Sequence, residues 1–508
     1  MKLFKNTHGR VFLVALALLL QLAYLIYILF AAGNYNIILY TLLKVISFLV
    51  VAHVINSESN PSVKLAWVVP ILIFPLFGGV IYLMFGVKHP IRDKKFLYKK
   101  ADELTSEFNT NDSEVINELE SINGHIAGQC RYLSKSGFPV YKNTLTEYFP
   151  LGDVNFPVLL DRLSKAEHFI FMEYFIIEEG EMWGKILDIL KEKAACGVDV
   201  RLIYDDVGCM FKLPDDYYRQ IESYGIKCVV FNPFKPFLSA VMNNRDHRKI
   251  TVIDGTTAFT GGINLADEYI NKVNKFGHWK DNGVMITGEA VKNFSLLFLN
   301  QWNSLKPTDN DIKKFIIPAK TGVHAESDGY VQPYGDSPLD NEICAENVYL
   351  NIINNSKKYV YIYTPYLIID NETVTALTLA AKRGVDVRII TPGIPDKKIV
   401  YQLTRSYYPV LIKHGVKIYE YTPGFVHAKS FVCDDEVATV GSINLDYRSL
   451  YLHFECGCYF YRSRVIDELK KDYIETLQKS KPVEQMTIRI GVLKRLWFAF
   501  LRLFSPLI

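Results

Sequence analysis

Three long hydrophobic stretches stand near the beginning of the chain, at residues 11–32, 36–55 and 65–85. About 20 apolar residues are needed to cross the roughly 30 Å hydrocarbon core of a bilayer. The first stretch meets that requirement and is too long for the apolar core of a signal peptide, so it is predicted to be a membrane anchor. Lys44 interrupts the second stretch, and prolines and glycines break the third.

Basic residues flank this block on both sides, with Lys2, Lys5 and Arg10 before it and a cluster at 88–100 after it. Both flanks are then expected on the cytoplasmic side, which requires an even number of crossings. The pattern predicts two crossings and one interfacial segment, for which the third stretch is the candidate. Three full spans with the amino terminus outside remain the alternative.

The middle of the chain carries a repeated pattern of β-strands and helices. Apolar runs at 169–177 and 360–369 each precede a helix-like stretch, and each stretch leads into the same Gly-Val-Asp-Val-Arg sequence, at 197–201 and at 384–388. A strand, a helix and a second strand in this order predict a parallel or mixed sheet covered by helices. The fold class is therefore α/β, with two similar α/β sandwich halves in one body and an N-terminal α-helical membrane domain.

The last residues, 488–508, mix arginine and lysine with tryptophan, phenylalanine and leucine. This composition is typical of a helix lying in a lipid headgroup layer. A closing amphipathic helix that packs on the protein's own core is the alternative. The predicted organisation is a transmembrane domain, a charged juxtamembrane linker, two α/β halves and a membrane-associated helix, at 1–86, 87–130, 131–310, 311–480 and 481–508.

Two copies of one motif, H-x-K-x4-D-x6-G-[GS]-x-N, lie in the two halves. The first comprises His247, Lys249, Asp254, Gly262 and Asn264, and the second comprises His427, Lys429, Asp434, Ser442 and Asn444. Residues two apart on a strand point to one face, so each His and Lys can reach the same anion. The glycine allows close backbone approach, the asparagines offer amide donors, and the Ser442 hydroxyl can bind phosphate on one side only.

Histidine can be a nucleophile or a proton donor near neutral pH, and lysine supplies positive charge for phosphate. Displacement at phosphorus through a covalent intermediate needs both an attacking group and a proton donor, which two copies facing each other would supply. No cluster has the spacing of a metal site, so neither metal nor cofactor is expected.

Composition narrows the choice of partners. The 57 basic and 54 acidic residues are too evenly balanced to imply nucleic acid, whereas the basic charge beside apolar segments suits anionic lipid. The 8 cysteines form no disulfide framework and are expected to be reduced.

The paired motif resembles the phospholipase D superfamily, and nearly the whole chain resembles bacterial cardiolipin synthases. The resemblance includes Pro75 to Tyr82 (P-x-x-G-G-x-x-Y), Asn243 to Ile250 around the first motif, and the terminal segment. It implies one site between the halves, in which His247 is the nucleophile and His427 the acid and base. The two motifs themselves do not separate these roles.

By the same resemblance, Lys249 and Lys429 hold the phosphate, Asp254 and Asp434 orient the histidines, and further residues lie in or behind the pocket. Those further residues are Trp279, Lys280, Asp281, Arg448 and Glu455. His278 and His453 begin no such motif and are not expected to be catalytic. Glu173 and Tyr366 stand at strand ends where they can line the cleft.

The implied reaction transfers a phosphatidyl group between two phosphatidylglycerol molecules, giving cardiolipin and glycerol, in a multi-pass protein of the bacterial cell membrane with its catalytic part on the cytoplasmic side. A hydrolytic phospholipase D is the nearest alternative. A nuclease is disfavoured by the membrane block, and a non-enzymatic scaffold by the completeness of both motifs. The sequence leaves oligomeric state open.

Overall fold

The computed structural model describes residues 37–73, 92–110, 112–234, 243–309, 311–316, 328–340, 342–484 and 491–507, with isolated positions 19, 22, 23, 78, 79, 82 and 86. The predicted anchor at 11–32 lies outside these residues apart from three positions, as does most of the third stretch beyond Ile73. In the described part, no helix is both long enough and apolar enough to cross a membrane.

Two helices precede the body of the protein, α1 (Ile37–Asn56) and α2 (Pro61–Ile73). They pack against each other through Val51, Val54, Trp67 and Ile71. Many of their other apolar side chains are exposed, including Phe48 and Leu65. This pattern leaves an apolar surface that the rest of the described chain does not cover.

The segment predicted as a charged linker is helical. Its helices are α3 (Arg92–Ser106), α4 (Ser113–Ile122) and α5 (Gly124–Lys135). Helix α5 buries Ile126, Cys130 and Leu133 in the core of the second half, so this segment is part of the folded body rather than a free connection. The boundaries predicted for the domains stay a prediction.

A seven-stranded mixed sheet forms the first half, in the order β1-β9-β7-β6-β2-β3-β4. With the short strands β5 and β8, the strands are β1 (Thr144–Phe149), β2 (Phe169–Tyr174), β3 (Asp199–Asp205), β4 (Lys227–Phe231), β5 (Arg245–Asp246), β6 (Lys249–Ile253), β7 (Thr257–Gly261), β8 (His278–Lys280) and β9 (Gly283–Gly288). The helices are α6 (Gly152–Ser164), α7 (Glu181–Ala195), α8 (Asp206–Cys209), α9 (Tyr217–Ser223), α10 (Val291–Leu305) and α11 (Ile312–Phe315), with a 3₁₀ turn at Asp267–Ile270.

The second half is built on the main path β10-β19-β17-β16-β11-β13-β14-β20, to which β5 of the first half is added beside β19. Its strands are β10 (Tyr330–Asp336), β11 (Tyr359–Tyr363), β12 (Leu367–Ile368), β13 (Asp386–Pro392), β14 (Lys417–Tyr421), β15 (Gly424–Val426), β16 (Ser430–Cys433), β17 (Val437–Gly441), β18 (Leu445–Asp446), β19 (His453–Tyr461) and β20 (Ser480–Pro482). Its helices are α12 (Cys344–Asn355), α13 (Asn371–Lys382), α14 (Lys398–Lys413), α15 (Tyr447–Tyr451), α16 (Arg464–Gln478) and α17 (Val492–Phe504), followed by a 3₁₀ turn at Ser505–Leu507.

The repeated strand-helix-strand pattern is confirmed. Strands β2 and β3 are parallel and joined through α7, and β11 and β13 are parallel and joined through α13. In both halves the strand that follows the motif histidine is antiparallel to the first strand of this unit. The two motifs therefore take up equivalent places in two similar mixed sheets.

One hydrophobic core joins the halves. It contains Phe171 and Val252 from the first sheet, Val432 and Cys458 from the second, and helix α10 between them. Burial of each large apolar side chain contributes about 1.5 to 3 kcal/mol, so this shared core fixes how the two sheets meet. The relative placement of the two motifs follows from that packing.

Candidate active site

Each motif histidine is held by a strand of the opposite half. The backbone N–H of His247 donates to the carbonyl of Phe454 at 2.9 Å, because β5 runs beside the start of β19. The backbone N–H of His427 donates to the carbonyl of Lys280 at 2.7 Å, where β15 pairs with β8. This reciprocal pairing brings the two histidines together in one site.

Each imidazole also has a carboxylate from the opposite half. Nδ1 of His427 lies 2.7 Å from Asp281, and Nδ1 of His247 lies 2.9 Å from Glu455. Both carboxylate residues are fully buried. A carboxylate on Nδ1 fixes the proton there and leaves Nε2 free to attack phosphorus or to carry a proton.

The expectation that Asp254 and Asp434 orient the histidines is wrong. The carboxylate of Asp254 accepts three backbone N–H groups, from Glu167, His168 and Phe169, at 2.7 to 2.8 Å. At a rise of roughly 3.3 Å per residue, strand β6 carries this aspartate about 20 Å from its histidine.

Asp434 does the same in the second half, where it accepts N–H groups from residues 357–359. Both aspartates have positive φ angles, 52° and 56°, at the turn that follows their strand. Asp is one of the residues that tolerates this conformation, and its carboxylate ties the hairpin to the beginning of the neighbouring strand. The conserved spacing in the repeat therefore reflects a turn, not a catalytic contact.

The two motif lysines are buried beside the histidines. The ammonium groups of Lys249 and Lys429 donate to the backbone carbonyls of His247 and His427, respectively. Burial lowers the pKa of Lys249 to about 8 and that of Lys429 to about 7, although Glu455 and Asp281 oppose the shift. A bound anion would favour the charged lysines and would replace the missing counterions.

The surroundings disfavour the charged form of both histidines. Burial, followed by the charge of Lys429, lowers the pKa of His427 to about 4 in spite of Asp281. Burial, followed by the charges of Lys249 and Lys429, also holds the pKa of His247 well below its usual value. The lysines of both motifs and His427 all influence the pKa of His247, so these four side chains lie close together.

Gly262 and Ser442 are equivalent positions behind the two carboxylates. A Cβ atom at Gly262 would lie 2.1 Å from Oδ1 of Asp281, so only glycine fits. The hydroxyl of Ser442 donates to the carboxylate of Glu455 and accepts from the N–H of Cys456 at 3.0 Å. The structure thus gives Ser442 a protein partner at the site where the sequence predicted a phosphate contact.

The two asparagines are also engaged by the protein. Asn264 accepts the N–H of Ile176 at 3.0 Å and donates to the hydroxyl of Tyr269 at 2.7 Å. Asn444 donates to the hydroxyl of Ser449 at 3.0 Å, and its buried Oδ1 has no partner among the residues that the structure describes. Direct substrate binding by either asparagine stays a prediction.

Other residues named from the sequence fall near the site with structural partners. The ammonium of Lys280 pairs with Asp472 at 2.7 Å. The hydroxyl of Tyr366 donates to Asp396 at 2.6 Å, and Glu173 is buried 3.6 Å from Arg248. These groups support the walls around the histidines.

Among the described residues, one cluster has ligand atoms close enough to hold a metal ion: His247, His453 and Glu455. Lys249 and Lys429 are near enough to His247 to lower its pKa. Two adjacent ammonium groups repel a cation and attract an anion, so the donor set fits phosphate better than metal.

Sequence reasoning noted Asp281 and Glu455 but gave their function to other aspartates. The signal that identifies them is the spacing Trp279-x-Asp281 and His453-x-Glu455, in which an aromatic ring stands two residues before the carboxylate. Their histidine contacts arise between halves, so no local pattern around either histidine reveals them.

The fold and the paired site together define a class of protein, enzymes that act on phosphodiesters. The chain matches a family model described as cardiolipin synthase, phospholipase D-like domain, at residues 159–302 and 349–477, and a phospholipase D-nuclease N-terminal model at 45–86. The solved phosphatidylserine synthase of Haemophilus influenzae Rd KW20 has a similar fold, with a TM-score of 0.57 at 15% identity over 75% of this chain and 99% of that one.

Curated relatives extend over almost the full length. A cardiolipin synthase of Geobacillus sp. strain WCH70 is 36% identical over 468 residues, covering 91% of this chain and 92% of the relative. A cardiolipin synthase of Halalkalibacterium halodurans is 35% identical over 486 residues, covering 92% and 94%. The chain belongs to the cardiolipin synthase family, as its sequence motifs predicted.

Proposed function

We propose that this protein is a phosphatidyltransferase that joins two phosphatidylglycerol molecules into cardiolipin and releases glycerol. The observation that carries the proposal is the paired site, in which each half supplies a histidine and the carboxylate that orients the other histidine. The family relationship names the product, and the geometry supplies a chemical route to it.

The reaction proceeds in two displacements at phosphorus. In the first, Nε2 of one histidine attacks the phosphorus of the donor lipid. The other histidine takes up a proton on Nε2 when the anionic phosphodiester binds beside it and raises its pKa, and it gives that proton to the departing glycerol oxygen. In the second, the now neutral histidine removes the proton from a hydroxyl of the acceptor, whose oxygen attacks the phosphohistidine. One phosphodiester is formed for each one broken, so no nucleotide is consumed.

The buried lysines supply the electrostatic part of the catalysis. Their side chains are 1 to 2% exposed, where water screens charge poorly. The two negative charges that gather on the phosphoryl oxygens in the transition state are stabilised there more than in the ground state. Burial of the histidines, each 7% exposed, also limits the access of water as a competing acceptor.

We also propose that the catalytic end of the second half faces a bacterial cell membrane from its cytoplasmic side. The side chain of Asn60, between α1 and α2, donates to the hydroxyl of Tyr451 at 2.9 Å and to Asp370 at 3.2 Å. Tyr451 closes α15, directly before the strand that carries Glu455. The apolar N-terminal helices are thereby attached close to the site, where lipid must enter.

The proposal is tested with purified full-length protein in phosphatidylglycerol vesicles without nucleotide or added metal, with lipid products identified by mass spectrometry. Cardiolipin and equimolar glycerol support the transferase. Phosphatidic acid and glycerol without cardiolipin would mean that water is the acceptor and would overturn the proposal. The double variant His247→Ala, His427→Ala is the control for contaminating activity.

A further inference from the structure

The two histidines occupy equivalent positions, but at several corresponding positions the residues beside them have opposite chemistry. One aromatic ring, that of Phe175, also lies beside His247, at 4.9 Å between centroids. The strand register establishes the equivalence: β15 pairs Phe425 with Trp279, and β5 pairs Arg245 with His453. Phe425 and Arg245 each stand two residues before a motif histidine, so corresponding neighbours can be compared one by one.

The side of His427 is aromatic. Its ring centroid lies 5.5 Å from that of Trp279, 5.9 Å from that of Phe425 and 5.4 Å from that of Tyr269. Trp279 and Phe425 are almost fully buried. This wall has no charged group to receive a second anion.

The side of His247 is polar at each of these positions. His453 replaces Trp279, with its ring centroid 5.6 Å from that of His247, and Arg245 replaces Phe425. Ser449 replaces Tyr269, since each stands five residues after the motif asparagine and hydrogen-bonds to it. A serine in place of a tyrosine also leaves more space on this side.

The residues that precede Tyr269 and Ser449 carry opposite charges in the two halves. In the first half Glu268 precedes Tyr269 and pairs with Lys275 at 3.0 Å. In the second half Arg448 precedes Ser449, and its guanidinium makes no ion pair or hydrogen bond in the part of the chain that the structure describes; its Nε is buried and unpartnered. Arg448 as a whole is half-buried. A buried guanidinium N–H without a partner is costly, which indicates a site for an anion.

His453 is unpartnered in the same way. Its side chain is 11% exposed, and neither ring nitrogen has a hydrogen-bond partner within the described residues, the nearest carboxylate oxygen of Glu455 being 3.7 Å from Nδ1. Burial lowers the pKa of His453 to about 4; Glu455 opposes the shift and the nearby charge of Arg448 adds to it. The ring is therefore neutral and offers one donor and one acceptor. Such a ring suits a hydroxyl ligand.

We propose that Arg448 and His453 form the subsite for the headgroup of the acceptor lipid. Arg448 pairs with its anionic phosphodiester, and His453 exchanges hydrogen bonds with its glycerol hydroxyls. This inference rests on the proposed function, because the ligand is phosphatidylglycerol.

The subsite also assigns the two histidines. The acceptor hydroxyl must arrive where the first glycerol leaves, opposite the nucleophile, and the subsite lies beside His247. His247 therefore protonates the departing glycerol and then takes the acceptor proton, while Nε2 of His427 forms and later releases the bond to phosphorus. This assignment is the reverse of the one that the family resemblance implied.

The Arg448→Gln variant tests the subsite, and Arg448→Lys is the charge-conserving variant. Arg405→Gln is the matched control, since Arg405 pairs with Glu420 on the surface of the same half. With glycerol release measured separately from cardiolipin formation, Arg448→Gln should raise the KM for acceptor lipid at least ~10-fold and shift product from cardiolipin toward phosphatidic acid. Glycerol release in the first turnover should be unchanged, and Arg448→Lys should partly restore the product ratio. An unchanged ratio, or an equal loss of both steps, would overturn the subsite.

The histidine assignment is tested with a phosphatidyl ester of p-nitrophenol, whose leaving group needs no proton. His247→Ala should give a burst of p-nitrophenol and a covalently labelled protein, whereas His427→Ala should give neither. The opposite result would overturn the assignment. If wild type made no cardiolipin at all, the proposed function would fail, whereas cardiolipin formation by wild type with an unaltered product ratio in Arg448→Gln would contradict only the subsite.

Discussion

Asp281 of the first half accepts the hydrogen bond of Nδ1 of His427, in the second half, across 2.7 Å. The contact makes each half incomplete as a catalyst, since the reciprocal pair of His247 and Glu455 crosses in the other direction. One buried site between two similar halves follows directly from this exchange.

Replacing Asp281 with Asn should lower kcat by about 10⁴-fold, the loss seen when an orienting aspartate of a catalytic triad becomes an amide. The amide permits the wrong tautomer of His427 and removes the charge that stabilises the imidazolium. Single-turnover lipid assays and thermal unfolding of the same preparation measure activity and folding separately. A variant that keeps wild-type kcat would show that the contact has no catalytic function.

Asp254→Asn is the contrasting substitution within the motif. Asparagine tolerates the positive φ of 52°, but a neutral acceptor holds the three N–H groups at the beginning of β2 less well. We expect a loss of about 1 to 3 kcal/mol in the free energy of unfolding, with kcat of the folded protein close to wild type. Denaturant titration with activity per folded molecule is the measurement. Loss of turnover without loss of stability would restore the catalytic interpretation of this aspartate.

Because Gly262 and Ser442 occupy equivalent positions in the two halves, each can be replaced with the residue found at the other. Ser442→Gly removes a hydroxyl that donates to Glu455, so this buried carboxylate keeps His247 but loses one of its hydrogen-bond donors. The loss of such a donor costs about 1 to 3 kcal/mol, and we expect kcat to fall about 10-fold. Gly262→Ser should be far more damaging, since its Cβ would lie 2.1 Å from Asp281. Equal effects of the two substitutions, assayed side by side, would argue against the different packing of the two carboxylates.

Activity should decline on the alkaline side of neutrality. The pKa values of Lys249 and Lys429 are lowered to about 8 and 7, so these lysines are charged below that range and lose their charge as the pH rises through it. Because the anionic substrate binds the charged form, kcat/KM should fall above about pH 7 to 8, while kcat should fall later since bound phosphate favours the charged lysines. If the Lys429→Arg variant retains activity, its kcat/KM should decline less steeply over this pH range. A kcat/KM profile that rises to pH 9 would contradict the prediction.

The C-terminal helix α17 should attach the protein to lipid. Phe498 and Leu501 are buried, whereas Leu493, Leu496 and Phe500 are 84%, 63% and 54% exposed on the same helix. Each large apolar side chain contributes about 1.5 to 3 kcal/mol when it leaves water, so replacing these three exposed residues with Ser should reduce partition at least ~100-fold.

The partition experiment uses the full chain with sedimented phosphatidylglycerol vesicles, and Leu379→Ser, at an exposed leucine of α13, is the control. If the N-terminal segments alone hold the protein on the vesicle, partition will not change and the attachment by α17 will be disproved. Product formation on detergent-dispersed lipid should be retained, because the three substituted side chains lie away from the histidines in the chain and on its surface.

Much of the fold could be predicted from the sequence, and so could the paired histidines and lysines. Both depend on the pattern of residues over short stretches of the chain. The helix between β2 and β3 and its counterpart between β11 and β13 follow from hydrophobic periodicity, and two residues apart on a strand is enough to place Lys249 on the face of His247. The packing of the segment 87–130, expected to be a linker or juxtamembrane helix, could not be predicted because its helices have largely charged surfaces. Only the tertiary structure shows that Ile126 and Cys130 belong to the core.

The sequence by itself determined that two equivalent motifs exist and which chemical groups they offer. Only the tertiary structure decided which carboxylate meets which histidine, because Asp281 and Glu455 reach their partners across the boundary between halves, through strand pairings that no local pattern encodes. It also decided that Asp254 lies at the far end of its strand. A strand rises about 3.3 Å per residue, so residues a few positions apart in the sequence can lie far apart in space. The packing of the two sheets supplies the contacts on which the chemistry depends.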